Sequence, residues 1–205
     1  MKKLIASLQK GVIRPRDAKK IYTQPALQFR RLEREGVLLK LAHGYYAHIP
    51  EAMRGTVWRP EMEALALGIG QADYDRDDVA LMHISAARIH GAIPRALAVA
   101  VLAVPKRRPA LVTKYGRIVF VQREVNGLKK IRVNTGLIEG WCTGIEQTAM
   151  DLANRPNLVK GLDQVSRDAA ISLLARSNDR KLKSVVNEQR MGTASARMKE
   201  WLKDA

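Results

Sequence analysis

In the first sixty positions, apolar residues recur in short bursts at helical spacing and then switch to strand-like runs. Leu4, Ile5 and Leu8 give Lys2 to Gln9 one apolar stripe, and Gly11 can end that helix. The stretch "RPRDAKKIY" predicts a second helix, with Pro15 suited to a first turn and Asp17 at the positive end of the dipole. A third helix is predicted from Thr23 or Gln24 to about Glu35. Thr23 is its candidate N-cap, Pro25 is tolerated in the first turn, and Gly36 is a natural stop. "VLLKL" and "YYAHI" then read as two strands around "AHG", with Gly44 supplying the turn. Helix, helix, helix, strand, turn, strand is the layout of a winged helix-turn-helix.

Gly and Pro in "EAMRGTVWRP", residues 51–60, break the periodicity and place a domain boundary there. Beyond it, "EMEALALGIG" predicts a helix, "DYDRDD" an acidic loop and "LMHISAARIHG" another helix. The nearly continuous apolar run "ALAVAVLAVP" suits a strand covered on both faces. "RIVFVQRE" and "KKIRVNTG" follow as strands. Helices are then predicted in "GIEQTAMDLANRP", "VKGLDQVSRDAAISLLARS", "DRKLKSVVNEQR" and "TASARMKEWLKDA". The fold class expected is α+β. An N-terminal winged helix-turn-helix over residues 1–55 precedes a C-terminal domain over residues 56–205, which has a small mixed β-sheet and a helical end.

Charge sharpens this picture. The chain of 205 residues carries 36 Lys and Arg against 20 Asp and Glu, a net of +16, which points to a polyanionic partner. Residues 1–60 alone have a net of +9, so they are the expected site of contact. Aromatic content of 5% argues against a base-stacking platform. The longest apolar run is too short to span a membrane, and "MKKLIASLQK" reads as a first helix rather than a secretion signal. With Cys142 as the single cysteine, a disulfide scaffold and a Cys-rich zinc module are excluded, and a cytoplasmic location is expected.

With Phe29 at the centre of the third helix's inner face, Ala26 and Leu32 fall beside it. Gln24, Arg31 and Arg34 then point the opposite way, with Gln28 and Arg30 on the flanks and Leu27 also outward. Arg can bond guanine O6 and N7 in a bidentate manner, Gln can do the same with adenine, and each such pair is worth roughly 1–3 kcal/mol of discrimination. Lys40 and His43, at or near the hairpin tip, are expected to reach phosphates beside the groove. Lys2, Lys3, Arg14, Arg16, Lys19 and Lys20 are expected to grip the backbone without reading sequence.

Other chemistry finds little support. Asp73, Asp75, Asp77 and Asp78 lack the preceding Gly-Ser of a nucleotidyltransferase. As an EF-hand loop they put Asp78 where Gly belongs and Ile84 where Glu belongs. His83 and His90 are seven apart, not the i, i+4 of a one-helix zinc site, and read as partly buried polar residues. Cys142 beside Trp141 reads as a small core residue. Neither glycine-rich nucleotide fingerprint is present, and no cofactor is expected. "PKRRP", with Lys106, Arg107 and Arg108, is either an extension of the nucleic-acid footprint or a solvated turn.

"RRLEREGVLLKLAHGYY" resembles the winged helix of the AbiEi family of type IV antitoxins, in its leucines, its glycine and its Gly-x-Tyr ending. "ISAARIHGAIPRALAVAVLAVPKRRP", "IVFVQREV" and "GIEQTAMDLANRP" look like the C-terminal region of actinobacterial members. The resemblance implies a protein that binds inverted repeats upstream of a bicistronic operon and represses it; the operator DNA expected here carries inverted or direct repeats. It also implies that a co-expressed nucleotidyltransferase-like toxin is neutralised without a stable complex, through the C-terminal domain. Some proteins with a similar start carry a nuclease-like domain, but its Asp…Glu-x-Lys constellation has no match here. The expectation is therefore a non-catalytic, DNA-binding antitoxin. The alternatives are an RNA-binding accessory factor that shields tRNA or rRNA, and a nucleic-acid-modifying enzyme.

Overall fold

The computed structural model describes residues 11–204. The helix expected over Lys2–Gln9, with Lys2 and Lys3, lies outside the described residues. The first elements are a strand, β1 (Val12–Ile13), a single 3-10 turn at Pro15–Ala18, and helix α1 (Pro25–Arg34). Strands β2 (Leu38–Ala42) and β3 (Tyr45–His48) follow. The three strands form an antiparallel sheet in the order β1-β3-β2.

Two local expectations change. "RPRDAKKIY" is a 3-10 turn and not an α-helix. Pro25 keeps Gln24 out of the helical region (φ −126°, ψ 73°), so this turn and α1 cannot run together as one helix. Thr23 is not the cap of α1; Gln24 holds that position, with no side-chain hydrogen bond. The end of α1 follows the sequence. Gly36 has a φ of +69°, Gly36 N–H bonds Glu33 C=O at 3.1 Å, and Val37 N–H returns to Leu32 C=O at 2.9 Å.

After the exposed segment Glu51–Val57 comes helix α2 (Met62–Asp73), then β4 (Ala80–Leu81) and α3 (His83–Ile89). Strands β5 (Val99–Val104), β6 (Leu111–Val112), β7 (Arg117–Gln122), β8 (Lys130–Asn134) and β9 (Glu139–Thr143) complete a second sheet. Its order is β6-β7-β5-β4-β9-β8, with β5–β7 and β4–β9 parallel and the other pairs antiparallel. The chain closes with α4 (Ile145–Asn154), α5 (Asp163–Leu174), α6 (Asp179–Glu188) and α7 (Gly192–Lys203).

The mixed sheet is therefore larger than expected, with six strands, and β5 is buried on both of its faces. Val101 and Ala103 enter one core, with Met150, Leu152, Leu173, Val185 and Met198 from α4–α7. Ala100, Leu102 and Val104 enter another, with Leu65, Leu67 and Ile69 of α2. Alternation along one strand thus assigns each helix layer to its own side of the sheet. The small sheet works the same way. Val12, Leu41 and Ala47 join the α2 core, while Ile13, Leu38 and Tyr46 face α1. The small sheet is sandwiched between α1 and the rest of the molecule. Gly68 of α2 permits this closeness, since a Cβ there would lie 2.4 Å from Val12 Cγ2.

Candidate nucleic-acid interface

Helix α1 is held by two residues of its inner face. Phe29 and Leu32 are buried against Leu38 and Tyr46, and the Phe29 and Tyr46 rings meet edge to face with centroids 5.2 Å apart. Ala26, expected on the same face, is exposed because the inner stripe is narrower than a full helix face. The opposite side presents Thr23, Gln24, Leu27, Arg30, Arg31 and Arg34 to solvent, and Gln28 sits half-buried at its flank. Arg31 Nε donates to Glu35 Oε1 at 2.8 Å in an exposed i, i+4 pair. Among the described residues, Arg30 and Arg34 make no ion pair.

Around this helix the expected phosphate contacts divide. Lys19 and Lys20 are exposed just beyond the 3-10 turn, and His43 is exposed at the β2–β3 turn, where Gly44 has a φ of +80°. Lys40 is not at the tip. It lies within β2 opposite Tyr46, half-buried beside a shift in register.

Arg14 and Arg16 point elsewhere. Arg14 Nη1 donates to Asp73 Oδ1 at 2.6 Å, and its Nε and Nη2 hold Asp17 at 2.8 Å each. Arg16 Nη2 reaches Asp73 Oδ1 at 3.2 Å. Tyr45 Oη donates to Asp73 Oδ2 at 2.6 Å, and Arg108 donates to the same oxygen while stacking on Phe120 at 4.1 Å. Burial pushes the Asp73 carboxyl up, but the hydrogen bonds from Tyr45, Arg108 and Arg14 outweigh it and leave the group below its ordinary range. Of the "PKRRP" cations, Arg108 is thus committed internally, while Lys106 and Arg107 stay exposed.

Sequence reasoning missed Lys114, on the turn between β6 and β7. Its N–H donates to Leu41 C=O at 3.1 Å, and its Nζ lies 3.7 Å from Glu33 of α1. No local pattern ties residue 114 to residues 33 and 41; only the docking of the β6–β7 turn against β2 and α1 brings them together.

The other titratable candidates are engaged structurally. Asp77 accepts from Arg132 Nη2 at 2.9 Å and from Trp141 Nε1 at 2.8 Å, with the Arg132 guanidinium 3.9 Å over the indole. His83 is buried, with Nε2 3.0 Å from Arg155 C=O, and burial lowers its pKa to about 4. His90 Nε2 is 2.7 Å from Thr143 C=O. Cys142 is buried in the α2 core, which raises its thiol to about 12. Asp151, fully buried, is raised to about 6 by burial despite Arg123 Nη1 at 3.2 Å and Gln147 Nε2 at 3.1 Å. Among the described residues no three His, Cys, Asp or Glu side chains cluster so as to hold a metal ion, and no helix is long and apolar enough to cross a membrane.

Residues 78–204 match the family model of the AbiEi antitoxin C-terminal domain. The match spans all six strands of the larger sheet and helices α3–α7, and it leaves α1 and the small sheet outside. No curated protein matches the chain. With its larger sheet and the whole helical layer behind it accounted for in this way, the chain belongs to the AbiEi antitoxin family, proteins of toxin–antitoxin systems that act against a cognate toxin.

Proposed function

We propose that this antitoxin is also a DNA-binding repressor of its own operon, with residues 1–55 as a winged helix-turn-helix and residues 56–205 as the antitoxin domain. Helix α1 is its recognition helix and β2–β3 its wing. The observation that carries this reading is the two-sidedness of α1: Phe29 and Leu32 clamp it from behind, and Gln24, Arg30, Arg31 and Arg34 stand clear in front. An α-helix fits the major groove of duplex DNA, where guanidinium and amide groups discriminate bases. Lys19, Lys20 and His43 flank the helix and supply phosphate contacts, and Lys114 adds one from the β6–β7 turn. Arg14 is assigned a structural part, because its guanidinium is occupied by Asp17 and Asp73.

Two copies of the chain would cover two half-sites of an operator repeat. The toxin opposed is nucleotidyltransferase-like, and it is neutralised by the C-terminal domain without a stable complex and without catalysis by the antitoxin.

Mobility-shift titration against the upstream operator tests the DNA reading. Arg31→Ala is expected to lose about 1–3 kcal/mol at specific base pairs. Lys20→Ala is expected to weaken all sequences alike and to reduce the salt slope by about 0.9. Wild-type affinity in both variants would remove α1 from the interface. In cells, the Arg30→Ala/Arg34→Ala chain is expected to lose repression while still relieving toxin-induced growth arrest.

A further inference from the structure

The outer face of α6 carries a row of cations that the DNA reading does not use. Leu182, Val185 and Val186 turn inward to the core of α4–α7, and Gln189 is tied to Arg123 and to Gly127 C=O. At 100° per residue, Arg180, Lys183 and Asn187 then fall on the opposite side and are exposed, and Arg190, exposed too, follows just beyond the helix cap at Gln189. Along the helix axis Arg180 to Asn187 span about 10 Å. Among the described residues, Arg180, Lys183 and Arg190 make no ion pair. The nearby Glu188 carboxylate is taken by Lys129 Nζ at 2.7 Å, which removes its opposition to the row.

Arg190 adds an independent sign. It has a φ of +53° and occupies the left-handed position of a helix-ending motif: its N–H bonds Asn187 C=O at 3.3 Å and Met191 N–H bonds Val186 C=O at 2.8 Å. Glycine is the residue favoured there, since a side chain at positive φ is strained. An arginine at this place gives the end of α6 a cation at a cost in backbone energy. Strain of that kind concentrates at working surfaces.

The layers decide what the row can touch. Helix α1 and the small sheet lie on the α2 side of the six-stranded sheet, and α6 lies on the other side. The row therefore lies apart from the α1 face, where a second polyanion has room to bind. The row also lacks an apolar residue at its centre, whereas protein partners are anchored by buried apolar or aromatic groups. Guanidinium and ammonium groups in a line, without an aromatic platform beside them, suit a phosphate backbone recognised by shape and charge.

We propose that the α6 row, Arg180, Lys183, Asn187 and Arg190, is a contact surface for the backbone of a folded RNA, separate from the DNA-reading face. This inference rests on α1 being the DNA reader. The test uses the full chain, fluorescence anisotropy, unfractionated transfer RNA as the probe, and operator duplex in parallel. The variant Arg180→Gln/Lys183→Gln/Arg190→Gly is expected to bind the RNA at least about tenfold more weakly at 0.1 M salt, with the salt slope reduced by about 2. Its affinity for operator is expected to stay within twofold of wild type. Arg190→Gly alone is expected to raise the melting temperature while lowering RNA affinity, which a merely structural residue would not do.

The Arg30→Ala/Arg34→Ala chain is expected to keep RNA binding and lose operator binding. Should that chain keep operator binding, the DNA reading fails while the RNA arm still reports on α6. RNA binding absent in the wild type, or unchanged in the triple variant, overturns the proposal. So does an equal loss of RNA and operator binding in the triple variant, or tighter binding of the row to random duplex DNA than to RNA.

Discussion

Replacing Asp73 by Asn measures how firmly the first strands are fixed to the rest of the molecule. The Asp73 side chain is 10% exposed and accepts from Arg14, Arg16, Tyr45 and Arg108. The Arg16 pair contributes little, because that arginine is 63% exposed and solvent screens it. Arg14 and Arg108 are different, at 15% and 21% exposed. Removing the carboxylate charge leaves two largely desolvated guanidiniums facing a neutral amide. Breaking a buried pair in this way costs about 3–5 kcal/mol. Arg14 keeps Asp17, and the Asn carbonyl still accepts one bond, so the expected loss is about 2–3 kcal/mol. For a chain of this size that is a fall in melting temperature of roughly 4–12 °C.

Urea titration at pH 7 supplies the free energy, and a double-mutant cycle with Arg108→Gln isolates the coupling. The carboxyl pKa is depressed in the folded state. The stabilisation is therefore complete above the unfolded carboxylate range and disappears as pH falls through the folded value. A loss under about 1 kcal/mol, or a coupling near zero, would refute the view that Asp73 ties these elements together.

In α2, Gly68→Ala is expected to destabilise by about 1–3 kcal/mol, although Ala is the better helix former, because the new methyl meets Val12; denaturant titration checks it, and Val12→Ala should rescue it. His83→Asn is suited to the φ of +55° at this position and should remove an acid-sensitive limb of stability. The imidazole pKa is lowered from 6.5 to about 4, so wild-type stability is full above about 6.5 and falls as pH drops toward 4, as stability profiles in urea would record. Asp151 acts in the opposite sense. Its raised pKa makes the folded state most favoured when the carboxyl is protonated, and stability declines as pH rises from about 4 to about 6; Asp151→Asn is expected to abolish that decline in the same profiles.

Legibility in the sequence followed the length of each pattern. Strand β5 was readable because six successive apolar residues can satisfy two cores at once. Helices α4–α7 were readable from spacing alone. Strands β4 and β6 have two residues each, too few for any period, and β9 reads Gly140, Trp141, Cys142 without alternation. The inner and outer faces of α1 followed from Phe29 and Leu32. The commitment of Arg14 did not, since its acidic partner lies 59 residues away in what reads as an exposed acidic loop. Long-range ion pairing leaves no trace in local composition, which is why the cationic surface looked broader in the sequence than it is in the fold.

The segment Glu51–Val57 is exposed throughout, whereas Val12, Leu41 and Ala47 share one core with α2. Covalent continuity and adhesion therefore reside in different parts of the molecule. A protease that nicks this strap should leave a single particle in solution, and two polypeptides made apart, one on each side of the nick, should find each other and reassemble like halves of a split reporter.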